Sequence, residues 1–131
     1  MDGLAEPNPG PGTYGFVVYK DGKKLNEEYG PAGENVTNNY AEYVALIRAL
    51  SSIASQSDES VLVKSDSKLL VNQMRGEWKM RKGGYVEKYK EARELAKGFR
   101  SLKFVWIPRE ENIEADELSR VAYSEFLRRK R

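Results

Sequence analysis

The chain has 131 residues, of which 40% are hydrophobic and 32% are charged, a balance that suits one domain with one buried core. It contains no cysteine and no histidine, which excludes disulfides, thiolate or imidazole metal sites and a histidine base. The net charge is only +2, and because there is neither a signal-peptide pattern nor an apolar run long enough to cross a bilayer, we expect a soluble cytoplasmic protein without a membrane partner.

The first part of the chain predicts a β-hairpin followed by a helix. Proline and glycine fill the segment 8–12, a composition typical of a turn. Thr37 or Asn38 can cap a helix that runs to about Ile53. The predicted hairpin consists of a strand from Tyr14 to Tyr19, a turn at Asp21 and Gly22, and a return strand from Lys24 to Tyr29.

The remainder of the chain alternates between strands and helices. The predicted elements are a strand over 60–65, helices over 67–74 and 85–97, a strand over 102–107 and a last helix over 113–128. This alternation predicts a single α/β domain over residues 1–131. Its mixed sheet combines an antiparallel hairpin with parallel strands, and helices pack on it.

Four acidic residues stand where predicted strands and helices begin or end. Asp66 directly follows a buried strand, at the edge where open α/β sheets place their ligands. Glu42 shares the apolar side of its helix with Leu46, where an unpaired carboxylate is costly. Taken alone, Asp66 could be a helix cap and Asp116 a partner of the helix dipole. As a set, Asp2, Glu42, Asp66 and Asp116 predict an oxygen-ligand site for hard divalent cations.

The positive charge is concentrated in one part of the sequence. Residues 64–103 contain 12 Lys/Arg against 5 Asp/Glu, whereas the rest of the chain is net acidic. A basic surface of this kind suits a polyanion such as nucleic acid. A solvated helix face is the alternative explanation.

Five segments, in order along nearly the whole chain, resemble ribonuclease H of type 1. The sequence around Arg109 most resembles the archaeal and reverse-transcriptase-like branch of that family. The segments are Asp2-Gly3 with Asn8 to Gly12 and Tyr14-Gly15, then Thr37 to Glu42, Lys64 to Ser67, Val105 to Asn112, and Ala115-Asp116.

The resemblance implies an endonuclease that cleaves the RNA strand of an RNA–DNA hybrid and leaves 5′-phosphate and 3′-hydroxyl ends. By position, the four acids would hold two Mg2+ or Mn2+ ions, one to activate water and one to stabilise the leaving 3′-oxygen. The positions that in the family contact the sugar edges are Asn8, Gly10, Asn38 and Asn39. Such segments also form ordinary turns and caps, and that alternative stays open.

Further candidate contacts to the substrate follow the third acid. Ser67, Lys68 and Asn72 share one face of the predicted helix. Next comes an aromatic residue among cations, which suggests contacts to the phosphates of the DNA strand; these residues are Trp78, Lys79, Arg81 and Lys82. Trp78 could equally be a core anchor. Many bacterial members carry a longer basic protrusion here, so we expect weaker or more salt-sensitive hybrid binding.

The chain departs from the family pattern in two places. Many members have a histidine in the loop before the final acid; here Arg109 is the best candidate for that loop, and it could act only electrostatically because arginine keeps its proton. Only Met1 precedes Asp2, so we expect a shortened central strand and a loosely held Asp2 near a fraying end. The native start could lie upstream.

Two other functions remain open at this point. One is a catalytically weak or inert module that binds hybrid or double-stranded RNA on the same fold. The other is a different nuclease of this fold, such as a resolvase or exonuclease, which would share the acids but not the Asn-rich segments. The segments around Asn8 and Asn38 favour the ribonuclease. Double-stranded RNA is a second candidate ligand, and we expect a monomer.

Overall fold

The computed structural model describes residues 1–79 and 83–129. None of the helices in this part of the chain is both long and apolar enough to cross a membrane. The five strands are β1 (Asp2–Ala5), β2 (Gly10–Lys20), β3 (Lys23–Val36), β4 (Ser60–Ser65) and β5 (Ser101–Trp106). The four α-helices are α1 (Asn38–Ser52), α2 (Lys68–Met74), α3 (Val86–Lys97) and α4 (Ile113–Arg129).

The strands form antiparallel and parallel groups, which confirms the predicted mixed α/β architecture. Strands β1, β2 and β3 are antiparallel neighbours in that order, and β4 pairs with β5 in parallel. The amino group of Met1 donates to the carbonyl oxygen of Lys64 at 3.0 Å. This bond brings the start of β1 beside the end of β4. Asp2 therefore lies next to the strand that precedes Asp66.

The hairpin turn lies where the sequence predicts it. Asp21 and Gly22 both have positive φ, 53° and 79°, as two-residue turns between twisted strands require. The strands themselves are longer than predicted: β3 continues to Val36, and β2 already begins at Gly10. The turn prediction is therefore wrong for residues 10–12, because Gly12 pairs with Ala5 of β1, and this pairing overrides the local turn preference.

The N-terminal residues are not loosely held. Met1 and Asp2 are only 8% and 6% exposed, and Asp2 pairs with Gly15 of β2. The expectation of a fraying end at Asp2 is wrong in this structure, because a four-residue strand is enough to place the residue inside the ladder. The sequence predicted a shortened central strand here without bounds, and the structure places it at Asp2–Ala5 as β1.

Helices α1 and α4 cover opposite faces of the sheet around β1. Successive strand residues point to opposite faces. A Cβ at Gly3 would lie 2.2 Å from the backbone nitrogen of Glu42 in α1. One at Gly15, opposite Asp2, would lie 2.7 Å from the nitrogen of Ser119 in α4. Glycine at both positions lets the two helices approach β1 and β2 closely, and so carries acidic residues from each helix toward Asp2.

Helices α1, α2 and α3 meet through a buried polar and aromatic contact. The ring of Tyr43 stacks on that of Tyr85 with centroids 5.9 Å apart. Its hydroxyl donates to the side-chain oxygen of buried Gln73 at 2.7 Å, and the amide of Gln73 donates to the Tyr85 hydroxyl at 3.2 Å. Because every polar atom in this contact has a partner, it fixes the helix that carries Glu42 at little desolvation cost.

Candidate active site

Three of the four predicted acids come together at one point. Carboxylate oxygens of Asp2, Glu42 and Asp66 all lie within 4.8 Å of one another. Asp2 opens β1, Glu42 lies in the second turn of α1, and Asp66 directly follows β4. The convergence depends on β1 lying between α1 on one face and the end of β4 at its edge.

Two hydrogen bonds orient these carboxylates. The Ser119 hydroxyl donates to Oδ2 of Asp2 at 2.6 Å, and the backbone N–H of Gly3 donates to Oε1 of Glu42 at 2.7 Å. The other carboxylate oxygen of Glu42, Oε2, is buried and has no hydrogen-bond partner in the described part of the chain. A buried carboxylate oxygen without a donor is costly unless a cation reaches it.

Burial makes the charged forms of Asp2 and Glu42 unfavourable. It raises the pKa of Asp2 to about 6, although the hydrogen bond from Ser119 opposes this shift; the charges of Asp66 and Asp116 add to it. Burial also raises the pKa of Glu42 well above its usual value, and the charge of Asp2 reinforces the effect. The Met1 ammonium lies among these groups, yet burial lowers its own pKa.

The donor set fits a hard divalent cation. All three converging side chains offer carboxylate oxygen, which Mg2+ and Mn2+ prefer. The oxygen of Glu42 that lacks a donor is available to such an ion. A bound cation would also offset the burial, and the smaller repulsion between the acids, that raise the pKa values of Asp2 and Glu42.

Asp116 stands apart from the group of three. Its Oδ2 is 3.3 Å from the Arg120 guanidinium, and its Oδ1 is 3.9 Å from that of Arg109. Its charge still contributes to the raised pKa of Asp2. Its role as a fourth ligand stays a prediction. Arg109 does lie beside this acid, as predicted for the loop before α4, with most of its side chain exposed.

The predicted sugar-edge residues lie next to the acids and also hold the loop between β1 and β2. The backbone N–H of Asn38 donates to Oδ1 of Asn8 at 3.0 Å, and its own Oδ1 accepts from the backbone of Ala5 at 2.8 Å. Gly10 is buried, and a Cβ there would lie 2.4 Å from the Pro7 carbonyl oxygen. Asn39 is half-buried. Asn8 and Asn38 are exposed, so they could also contact a substrate.

The residues that follow Asp66 have structural contacts of their own. Ser67 caps α2 by accepting from the N–H of Leu70 at 3.2 Å. The Lys68 ammonium lies 4.8 Å from the ring centre of Trp106, whose indole N–H donates to the Asp66 carbonyl oxygen at 3.0 Å. The carbonyl oxygen of Asn72 accepts from the backbone N–H groups of residues 77 and 78. The predicted contacts of Ser67, Lys68 and Asn72 with a substrate stay predictions.

The aromatic and basic segment after α2 is only partly described. Trp78 is 48% exposed, so the alternative that it anchors the core is wrong. Lys79 is also exposed. Arg81 and Lys82 lie outside the described residues. The predicted contacts of this segment with the DNA strand stay predictions.

Sequence reasoning missed Ser119. This residue is fully buried, and its hydroxyl lies between Oδ2 of Asp2 and the carbonyl oxygen of Asp116, 2.9 Å from the latter. A pattern in α4 could have indicated it: small residues recur at helical spacing on the buried side, at Ala115, Ser119 and Ala122. A serine in such a stripe, opposite a glycine of the sheet, is placed to hydrogen-bond a buried acid.

The chain is similar to known proteins over nearly its whole length. A family model described as reverse transcriptase-like matches residues 1–122. A bifunctional protein of Mycobacterium tuberculosis is 39% identical over 119 residues, which make up 90% of this chain and 33% of that protein. The chain thus spans about a third of the mycobacterial relative it matches.

Solved structures of the same kind superpose closely. RNase H1 from the halophilic archaeon Halobacterium salinarum gives a TM-score of 0.87 at 35% identity, covering 95% of this chain and 94% of that one. LC11-RNase H1, solved in complex with an RNA/DNA hybrid, gives 0.88 at 38% identity, covering 96% and 95%. By sequence and fold, the chain belongs to the ribonuclease H type 1 family, in the group that the reverse transcriptase-like model describes.

Proposed function

We propose that this chain is a metal-dependent endonuclease that hydrolyses the RNA strand of RNA–DNA hybrids and leaves 5′-phosphate and 3′-hydroxyl ends. The observation that carries the proposal is the convergence of the three carboxylates of Asp2, Glu42 and Asp66, together with the buried Oε2 of Glu42, which lacks a hydrogen-bond donor in the described part of the chain. Similarity to a ribonuclease H1 solved with a hybrid supports the substrate class.

The residues that would hold divalent ions are Asp2, Glu42 and Asp66, with Asp116 completing a site for two Mg2+ or Mn2+ ions. When bound, such ions lower the pKa of water and neutralise charge that develops on the leaving oxygen. Asp116 would have to exchange part of its contact with Arg120 for this role, since these two side chains are 3.3 Å apart.

The protein itself supplies orientation and charge. Ser119 and the N–H of Gly3 fix one oxygen each on Asp2 and Glu42, so the acids need little rearrangement when ions and substrate arrive. Arg109 is exposed beside Asp116 and adds positive charge for a phosphate. It cannot take up a proton, so we assign it no general-base role.

Discrimination between RNA and DNA is proposed for the Asn-rich segments. Asn38 lies one helical turn before Glu42 and is tied to Asn8, which places exposed amides beside the acids. An amide can donate to and accept from a 2′-hydroxyl, the group that distinguishes an RNA strand. A cytoplasmic location and a monomeric state stay predictions.

The proposal is tested with end-labelled RNA–DNA hybrid, RNA duplex and DNA duplex, incubated with Mg2+ or Mn2+. We expect cleavage of the hybrid's RNA strand only, loss of cleavage with chelator, and loss in Asp66→Asn. Tight binding of hybrid without cleavage under either metal would instead favour an inert binding module. Cleavage of RNA duplex at a similar rate would widen the substrate class.

A further inference from the structure

A cavity lined by basic residues lies away from the four acids. It has a volume of about 620 Å³ and is bounded by the end of α2, the second half of α3 and strand β5. Four cationic side chains line it: Arg75, Arg93, Arg100 and Lys103. Phe99 and Leu102 are among its apolar lining residues, and no acidic residue of the described chain lines it.

These four cations differ from their neighbours in having no carboxylate partner. On α3, lysines pair with glutamates three residues away, as in Lys90 with Glu87 at 3.7 Å and Lys97 with Glu94 at 2.8 Å. None of the cavity cations forms an ion pair within residues 1–79 and 83–129. The basic surplus of the sequence is therefore uncompensated at this cavity.

Two of the guanidinium groups are held in place by the backbone. Arg75 donates through Nε to the carbonyl oxygen of Phe104 at 2.8 Å, and Arg93 donates through Nη1 to that of Met74 at 3.1 Å. A guanidinium has five N–H donors, so each keeps several for a ligand. Fixed guanidinium forks match the geometry of phosphate and of carboxylate, and can bind either through two parallel hydrogen bonds.

The cavity and the acids are connected by the same two elements. Helix α2 begins just after Asp66, and Trp106, at the end of β5, donates to the Asp66 carbonyl oxygen at 3.0 Å. Arg75 follows Ser67 by eight residues, about 12 Å along a helix. Lys103 precedes Trp106 by three residues, about 10 Å along a strand. Since phosphates along one strand advance by about 3.4 Å each, a strand at the acids reaches the cavity within about four nucleotides.

We propose that this basic cavity binds backbone phosphates of a nucleic-acid strand that lies in the acidic site, a few nucleotides from the cleaved bond. The inference rests on the proposed function for its ligand class. The cavity contributes affinity and salt dependence, and it takes no part in the chemical step because none of the four acids lines it. Its cations lie just after α2, on α3, just before β5 and within β5.

The test uses the double variant Arg100→Gln/Lys103→Gln. Both side chains are exposed, so the fold is expected to stay intact. The matched control is Lys90→Gln/Lys97→Gln, which removes the same charge from exposed positions outside the cavity. Binding to a 20-base-pair hybrid is measured in chelator over a range of salt, and cleavage is measured under single-turnover conditions with saturating enzyme and Mg2+.

The cavity variant is expected to bind the long hybrid roughly 10- to 50-fold more weakly at 0.1 M salt, and its slope of log affinity against log salt is expected to fall by about two. The control variant should change little. A hybrid of six base pairs should show a smaller difference between the two variants, and the cleavage rate at saturation should stay at the wild-type value.

Equal affinity and equal salt slope in the cavity and control variants would overturn the inference, even if the hybrid is cleaved. Poly-glutamate serves as a probe for an acidic protein partner. If the cavity variant loses binding to poly-glutamate but binds the hybrid as tightly as the control variant does, the inference is overturned in favour of such a partner. Failure of the proposed function has a different signature, since wild type would then leave the hybrid uncut whether or not the cavity variant weakens its binding.

Discussion

Ser119 of α4 contacts the acidic site through a hydrogen bond to Asp2 of β1. Its hydroxyl donates to Asp2 at 2.6 Å in a fully buried position. A hydrogen bond to a buried carboxylate favours the charged form that binds metal. Ser119 therefore orients Asp2 and favours its charged form, in opposition to the effect of burial.

We expect Ser119→Ala to weaken divalent metal binding by roughly tenfold, because an orienting partner of a ligand is lost. Ser124→Ala is the matched control, since Ser124 is an exposed serine on the same helix. Isothermal titration with Mn2+ measures the affinity. Equal affinity in the two variants would show that Ser119 only fills space.

The raised pKa values of Asp2 and Glu42 predict a pH-dependent effect of metal on stability. The pKa of Asp2 is about 6 in the folded chain and near 3.8 when unperturbed, so the ion-free fold binds this proton more tightly than the unfolded chain does. The contribution of Asp2 to stability is therefore present at low pH and is lost as pH rises through 6. A cation replaces that proton.

We expect Mg2+ to raise Tm more at pH 7.5 than at pH 5, as followed by thermal melts with and without the ion. Glu42→Gln should raise the ion-free Tm at pH 7.5 and reduce the Mg2+ effect, because the neutral amide keeps an oxygen to accept from Gly3. A Mg2+ effect that is the same at both pH values would contradict this linkage.

Substitution of Arg109 tests whether the positive charge beside Asp116 speeds cleavage. Its guanidinium lies 3.9 Å from Asp116 and is largely exposed. We expect Arg109→Ala to slow turnover without abolishing it, and Arg109→Lys to recover part of the rate because the charge is kept. Single-turnover kinetics on the hybrid measure the effect. A wild-type rate in Arg109→Ala would remove this residue from the mechanism.

Among the secondary elements, β1 makes the site possible although it has only four residues. Helix α1 packs closely on β1 at Gly3, and α4 packs closely on β2 at Gly15. Both contacts require glycine, because an added Cβ would clash with the backbone of the helix. Sequence reasoning predicted the helices and the hairpin turn well, because caps and turn residues are local signals. It expected a shortened central strand but gave β1 no bounds, and it missed the start of β2 and the end of β3, where glycine and proline join a ladder through pairing with distant residues.

We expect Gly3→Ala to destabilise the fold by about 1–3 kcal/mol, since the new methyl would meet the α1 backbone at 2.2 Å and force β1 away from Glu42. Gly84→Ala, where no atom of the described residues lies within 4 Å of the added carbon, is the control and should shift stability by less than about 0.5 kcal/mol. Urea denaturation provides both values. Equal stability in the two variants would show that β1 can move at no cost.

At the scale of the whole molecule, the fold brings together acids that are distant in sequence. Their presence at element ends was enough to predict a metal site, and three of the four meet in the structure. Asp116 and Arg120 stand four residues apart on the predicted last helix, so their pairing could have been predicted from the sequence. Sequence could not show that Ser119 supports Asp2, or that four cations gather at one cavity without acidic partners in the described chain. These features depend on packing between elements rather than on local pattern.

We propose that the cluster of acidic side chains holds divalent ions, and that these ions enable cleavage of the RNA strand of a hybrid. The most direct measurement is the single-turnover cleavage rate of end-labelled hybrid as a function of Mg2+ concentration, for wild type and Asp66→Asn. We predict no cleavage in chelator, a saturable rise with Mg2+ for wild type, and at most trace cleavage for Asp66→Asn at any concentration. Wild-type cleavage in chelator, or a full rate in Asp66→Asn, would contradict the claim.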